Sequence, residues 1–471
     1  MKKYTILGVL VALLALSAPS LAATAIDFSG YLKVFHANHD NYLRSADSAG
    51  RDSESYFINK FQLNVDIMPT DDISIHWVMR SIWPERWGRF AAGNGGGPGT
   101  SLYTRSLHAR IAQPWGTVYI GRVADNLPGN VGGLYNLGYR RTWGSEFLYG
   151  SNVFDLSAPV DSVAYDKDFD NGFGLIVFYS KDAIDPRTGS SVAPMQRRDH
   201  AKDHFGVEPR YQWDGGGVAL GIEYVRDMTR TAKAGALLAN DATADSDYAV
   251  FVNPAVTHAW GPFSLSFEGK VGFGRTSFRD DLDPSRSARV RRKGLGLYLD
   301  ANYDYGAGDV SLLGFYADGT GRNDKSSHGL VGLGDFSPFL VAFNRQGFGN
   351  GTWANSNNGW IGSSVPNAGD RGNDEINNIW GAGLLGNHSL NDAIRLNYGI
   401  GAFRLVNQTY ANQSKNLGLE LDAGATFQII DNLSFETQFG YLFNGDAYKV
   451  PASSKDPKNT FSWMNVMAIT F

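Results

Sequence analysis

The sequence predicts an all-β protein: a transmembrane antiparallel β-barrel of about 18 strands (roughly 16–20). Three observations lead there. Apolar and polar residues alternate with period two in segment after segment. The connections between those segments are short and long in turn. Beyond the first 22 residues, no apolar run approaches the ~20 residues a spanning helix needs.

The chain opens with Met1-Lys2-Lys3, a basic start, followed by the apolar run Ile6–Ala18 and small residues at Ser20 and Ala22. That is the form of a secretory signal peptide, so residues 1–22 are expected to be a cleaved leader and 23–471 one barrel domain. The alternation begins at once. Ile26, Phe28, Leu32 and Val34 interleave with Asp27, Ser29, Tyr31 and Lys33. Phe61, Leu63, Val65 and Ile67 interleave with Lys60, Gln62, Asn64 and Asp66, and Ile73, Ile75, Trp77 and Met79 with Ser74, His76 and Arg80. Phe263–Val271, Leu295–Tyr303 and Leu417–Phe427 repeat the pattern. Successive strand side chains point to opposite faces, so each segment has one apolar and one wet side.

Tight turns are expected at 68–72, 113–116, 168–172, 213–216, 260–262, 305–308, 387–391 and 430–433, where Gly, Pro, Asn and Asp gather. Between them lie longer polar stretches at 39–54, 84–100, 125–158, 184–203, 231–245, 279–290, 322–373, 408–415 and 446–458. The apolar run Phe336–Phe343 inside 322–373 is a candidate extra hairpin strand. Short inner turns and long outer loops are what a barrel in a membrane shows, and both termini then fall on the short-turn, periplasmic side.

Composition narrows the class. With no cysteine, disulfide frameworks and thiolate chemistry are excluded. A net charge of -5 argues against nucleic acid as a partner. Mean hydropathy is slightly negative, as it must be when lipid-facing residues alternate with wet ones. A soluble β-sandwich would alternate too, but it has no need of an apolar face in every strand.

The final segment, Phe461–Phe471, places Phe461, Trp463, Met467, Ile469 and Phe471 on one parity. A last strand closing on Phe resembles the sorting signature of bacterial outer-membrane barrels, which implies that compartment and contact with outer-membrane lipids. Further in, Gly121-Arg122-Val123 precedes Asp125–Gly133 at the start of loop 125–158. This resembles bacterial general porins, where such a strand end leads into a third outer loop that folds back and narrows the barrel. The resemblance implies an inward-folded constriction loop carrying Arg140 and Arg141 against Glu146 and Asp155, with Arg122 at its base. Opposed charges there would set a field across the narrowest part and select among ions and polar solutes. Arg122 could equally anchor the loop.

Charged residues on the wet parity, Arg80, Arg110, Arg210 and Arg395 among them, are expected to line the pore wall, since an Arg or Lys on the lipid face costs ~2–4 kcal/mol at mid-bilayer. Aromatic residues near strand ends, such as Trp77, Trp115, Trp213, Trp260 and Tyr305, read as an interfacial girdle or as a sugar track.

Enzyme signals are thin. The nine His have no close metal-binding pair, and Gly93–Gly97 lacks the Lys and helix of a phosphate loop. No cofactor is expected; Asp280, Asp281 and Asp283 could hold a loop-bound calcium, though without the spacing of a known calcium loop. The whole mature chain resembles the homotrimeric porins of sulfate-reducing bacteria. Its closing hairpin, Asn416–Asp422 and Gly440–Asp446, also resembles alginate-export-type barrels. The first resemblance implies a homotrimer passing small hydrophilic solutes and ions by passive diffusion. The second leaves open a substrate-specific channel for anionic oligosaccharides or small organic acids.

Overall fold

A computed structural model of the chain describes residues 24–40, 54–81, 85–86, 102–123, 160–184, 201–227, 243–279, 288–321, 324, 326, 328, 338–342, 377–408, 411–449 and 457–471. The strands run in chain order as β1 (Ala25–Asp40), β2 (Glu54–Thr70), β3 (Ile73–Ser81), β4 (Glu85–Arg86), β5 (Leu102–Gln113), β6 (Gly116–Val123), β7 (Val160–Asp168), β8 (Phe173–Ile184), β9 (Ala201–Trp213) and β10 (Gly216–Asp227). There follow β11 (Thr243–Trp260), β12 (Phe263–Arg279), β13 (Ala288–Asp304), β14 (Gly308–Ala317), β15 (Ile379–Asn391), β16 (Ile394–Leu405), β17 (Asn416–Ile430), β18 (Leu433–Asn444) and β19 (Thr460–Thr470).

Apart from the two-residue β4, each strand pairs antiparallel with the strands before and after it, and β1 pairs with both β2 and β19. The two residues of β4 continue β3 along β2, so the ring has 18 staves. Closure has a plain cause: no water satisfies a free N–H or C=O inside a bilayer, so every strand must find two partners. At the seam, the Phe471 N–H donates to the Gly30 carbonyl at 3.1 Å and the Gly30 N–H to the Phe471 carbonyl at 2.8 Å. The Phe471 ring stacks near Phe61, centroids 6.5 Å apart.

Residues directly opposite in a ladder share a face, so one parity fixes the rest. One parity carries exposed apolar side chains around the wall, among them Phe28, Ile120, Val163, Ile222, Leu299, Ile400 and Ile469. The other carries buried charged and polar ones, including Arg80, Glu208, Glu223, Lys270, Asp300 and Glu420. A soluble sandwich would show the reverse.

Short turns fall where Gly, Asn and Asp predict them, with Gly215 (φ 78°) and Gly306 (φ 85°) in the left-handed region that a side chain disfavours. One turn differs. Residues 387–391 are still strand, and the chain reverses at 392–393 instead. There the Asn391 Oδ1 accepts from the N–H groups of Ala393 and Ile394, both at 2.9 Å, so the side chain rather than the backbone makes the bend.

The wall is uneven in height. β6 and β7 have 8 and 9 residues, whereas β11, β12 and β13 have 18, 17 and 17. A tilted spanning strand needs ~9–11 residues, so β11–β13 rise well beyond the apolar band on the long-loop side.

Candidate functional site: the lumen wall and an inward segment

The lumen is not uniformly wet. The inward face of β13–β18 carries Tyr298, Leu313, Phe315, Leu385, Phe403, Leu405, Leu417 and Leu442, which form one apolar cluster with Phe339, Val341, Ala342 and Tyr448. The last four come from connections, not from the wall. Phe339–Ala342 lies within the stretch where the sequence suggested an extra strand; it is a turn instead, fully buried against the inner wall.

Two features hold that segment. The first is a carboxylate cradle. The Val341 N–H donates to Glu420 Oε1 at 2.5 Å, the Ala342 N–H to Glu420 Oε2 at 2.6 Å and the Leu340 N–H to Asp422 Oδ2 at 3.1 Å. Main-chain donors outside a strand need partners when buried, and two ionised acceptors supply them. The second is absence of side chain: a Cβ at Gly383 on β15 or Gly401 on β16 would collide with the Phe339 ring. The ring meets Phe403 edge-on with centroids 5.1 Å apart. Upstream, the chain leaving β14 is pinned by the Asn378 N–H to the Asp318 carbonyl (2.9 Å) and by Asn407 Nδ2 to the Gly319 carbonyl (2.6 Å).

Elsewhere the wall is polar, and its charges are unequally spread. Lys33 on β1, Lys60 on β2, Arg80 on β3 and Arg110 on β5 occupy inward positions on neighbouring staves. About half the ring away, β10, β12 and β13 place Glu223, Glu268 and Asp300 inward. Arg80 Nε donates to Gln62 Oε1 at 2.6 Å, and the Tyr31 hydroxyl donates to the same oxygen at 3.2 Å. Asp300 accepts from the Ser311 hydroxyl at 2.6 Å and the Tyr298 hydroxyl at 3.1 Å. Glu223 accepts from Asn253 Nδ2 at 2.5 Å and faces His204 Nε2 at 3.1 Å. The Lys270 Nζ sits 4.6 Å above the Phe251 ring.

The residues singled out from sequence divide into three groups. Arg80, Arg110, Arg210 and Arg395 all stand on the inward parity. Arg210 is tied up: its Nη2 donates to Asp166 at 2.7 Å and Asp168 at 2.6 Å. Arg122 is elsewhere. Tyr119, three residues before it, is buried inward, and Arg122 pairs in register with the outward Leu107, so it leaves the wall on the outer surface. An odd separation along a strand reverses the face. Arg140, Arg141, Glu146 and Asp155 lie outside the described residues, as do Asp280, Asp281 and Asp283. The Glu420 cradle and the Gly383–Gly401 slot were missed as a docking site. Their signal was there: glycines on one parity of two adjacent strands, facing carboxylates.

A family model described as Gram-negative porin matches residues 9–337, more than half of the chain. Among solved structures, the fold is similar to the outer membrane protein OpdK of Pseudomonas aeruginosa at 9% identity, over 95% of this chain and 98% of that one, with a TM-score of 0.51. It is similar to OccAB1 of Acinetobacter baumannii at 10% identity, over 95% and 96%, with a TM-score of 0.50. It is similar to OccK8 (OprE) of Pseudomonas aeruginosa at 11% identity, over 95% and 98%, with a TM-score of 0.50. No curated protein matches the chain in sequence. The structural likenesses carry the fold and the family match carries the function: the chain belongs to the Gram-negative porins, a channel of the bacterial outer membrane for small solutes rather than an enzyme.

Proposed function

We propose that this porin is a general diffusion channel whose charge preference is set across the lumen between a basic arc and an acidic arc. The observation that carries the reading is the opposition of Lys33, Lys60, Arg80 and Arg110 to Glu223, Glu268 and Asp300 from about half the ring away. Fixed charges of opposite sign on facing walls orient dipolar solutes and favour hydrated ions over apolar molecules. The segment Phe339–Ala342 takes up lumen space on the β15–β17 side and so reduces the free cross-section there. In this reading loop 125–158 narrows the passage further, with Arg140 and Arg141 set against Glu146 and Asp155. The likeness of the chain to homotrimeric porins of sulfate-reducing bacteria extends the proposal to three barrels per assembly and to that kind of source.

Planar-bilayer recording under a salt gradient tests it. The double variant Arg80→Gln/Arg110→Gln should move the reversal potential toward cations, and Glu268→Gln/Asp300→Asn toward anions. Unmoved potentials in both would sink the two-arc filter. Crosslinking of the folded protein tests the trimer.

A second reading, a substrate-specific channel for anionic oligosaccharides or small organic acids, is favoured by four cations on adjacent staves. It predicts that such a substrate blocks the current in a saturable way; the general channel shows ohmic current without block.

A further inference from the structure

On the outer surface, one row of directly opposed residues runs over eight strands. By register, Arg122 on β6 pairs with Asp161 on β7, Asp161 with Lys181 on β8, Lys181 with Asp203 on β9, and Asp203 with Arg226 on β10. Arg226 then pairs with Tyr248 on β11, Tyr248 with Arg275 on β12, and Arg275 with Arg291 on β13.

The two halves of this row differ. From β6 to β10 the signs alternate, and across β8–β10 the charges meet: Arg226 Nη2 donates to Asp203 Oδ2 at 2.6 Å, with Lys181 Nζ 4.0 Å from Oδ1. From β11 to β13 the described outward residues carry positive charge alone. Arg275 faces Arg291 across the ladder, and Lys293 stands one outward position below Arg291, opposite Phe273. Among the described residues, no carboxylate pairs with Arg275, Arg291 or Lys293. Like charges directly opposite one another weaken a sheet unless something neutralises them.

The layers beneath say where this patch sits. One outward position lower come Phe205, Tyr224, Val250 and Phe273, and one lower again Val207, Ile222, Val252 and Val271. Aliphatic band, aromatic row and basic row follow in order toward the long-loop side. Aromatic side chains lie at the level of lipid headgroups. The uncompensated cations therefore stand at and just above headgroup level, on the tallest part of the wall.

We propose that the outward face of β10–β13 around Arg275, Arg291 and Lys293 is a docking surface for the phosphate groups of outer-leaflet lipid. The occupant is fixed by charge and depth: several negative charges, on a molecule whose acyl part covers the aromatic row. The inference does not depend on the selectivity filter, since these residues face away from the lumen.

The test counts lipid bound to the folded barrel in detergent by native mass spectrometry, using bis-phosphorylated lipid A as the probe. The triple variant R275Q/R291Q/K293Q should bind it about fivefold more weakly for each cation removed, with single-channel conductance unchanged. Arg404→Gln, which removes an outward cation stacked on Trp380 three staves beyond β13, should bind like wild type. Dephosphorylated lipid A on the wild-type protein gives the same loss without any substitution, so a folding defect cannot mimic the result. Equal binding by the triple variant, equal binding of the dephosphorylated lipid, or displacement of lipid by inorganic phosphate at matching concentration would overturn the proposal. So would lipid-free self-association that the triple variant abolishes, which would assign the face to a second copy.

Discussion

Glu420 holds Val341 by the main chain, with the Val341 N–H donating to Oε1 at 2.5 Å, and the carboxylate spends its second oxygen on Ala342. A wall residue of a channel thus serves as an anchor rather than as part of a filter. Substituting Glu420→Gln keeps the shape but removes the charge, and each hydrogen bond to an ionised acceptor is worth ~1.5–3 kcal/mol. The segment Phe339–Ala342 should then leave the wall for part of the time. Single-channel traces should show larger open currents and added flicker. Traces indistinguishable from wild type would mean that the cradle does not control the segment.

The fit of Phe339 against Gly401 gives an independent route to the same state. Gly401→Val fills the slot from the wall side, and Phe339→Ala empties it from the loop side at a cost of ~3–5 kcal/mol of packing. Both should raise conductance. Residues in contact do not contribute independently, so the double variant should resemble the stronger single one. Additive effects would show that the two do not act through one contact.

Two buried ionisable side chains on β9 should respond in opposite directions. Arg210 is the guanidinium for Asp166, both nearly buried. Arg210→Gln strands that carboxylate, at a cost of ~3–5 kcal/mol; the exposed Asp168 adds little. Glu208 is buried, and among the described residues no hydrogen-bond donor reaches either oxygen. Glu208→Leu should leave stability unchanged or raise it by ~1–4 kcal/mol. Urea unfolding of the reconstituted barrel, followed by the heat-sensitive mobility of the folded band, reads both. A large loss for Glu208→Leu would reveal a partner for that carboxylate.

Phe471→Ala keeps the backbone exchange with Gly30 but loses the ring near Phe61. The expected outcome is slower closure at the seam, seen as a lower yield of folded barrel in refolding time courses, while conductance of the folded fraction stays the same.

Much of the architecture was written in period two. The Leu417–Phe427 alternation maps directly onto β17, and the Trp213–Gly216 turn onto the reversal between β9 and β10. Turn chemistry was slightly misplaced at Asn391, because an Asn can end a strand as readily as it can occupy the bend that follows. The lumen was harder to read. Parity says which side chains point inward, but not what comes back from a loop to meet them. Gly383 and Gly401 are the space for Phe339, a role that strand alternation does not mark. Arg122 was placed by likeness to a motif, while its odd spacing from the inward Tyr119 already assigned it to the outer surface.

The seam between β1 and β19 has a bearing on biogenesis. The earliest strand cannot find its second neighbour until the latest has been made, so no partial product is watertight. Assembly must wait for a finished polypeptide, and any stalled intermediate would offer two unzipped margins to whatever machinery delivers it.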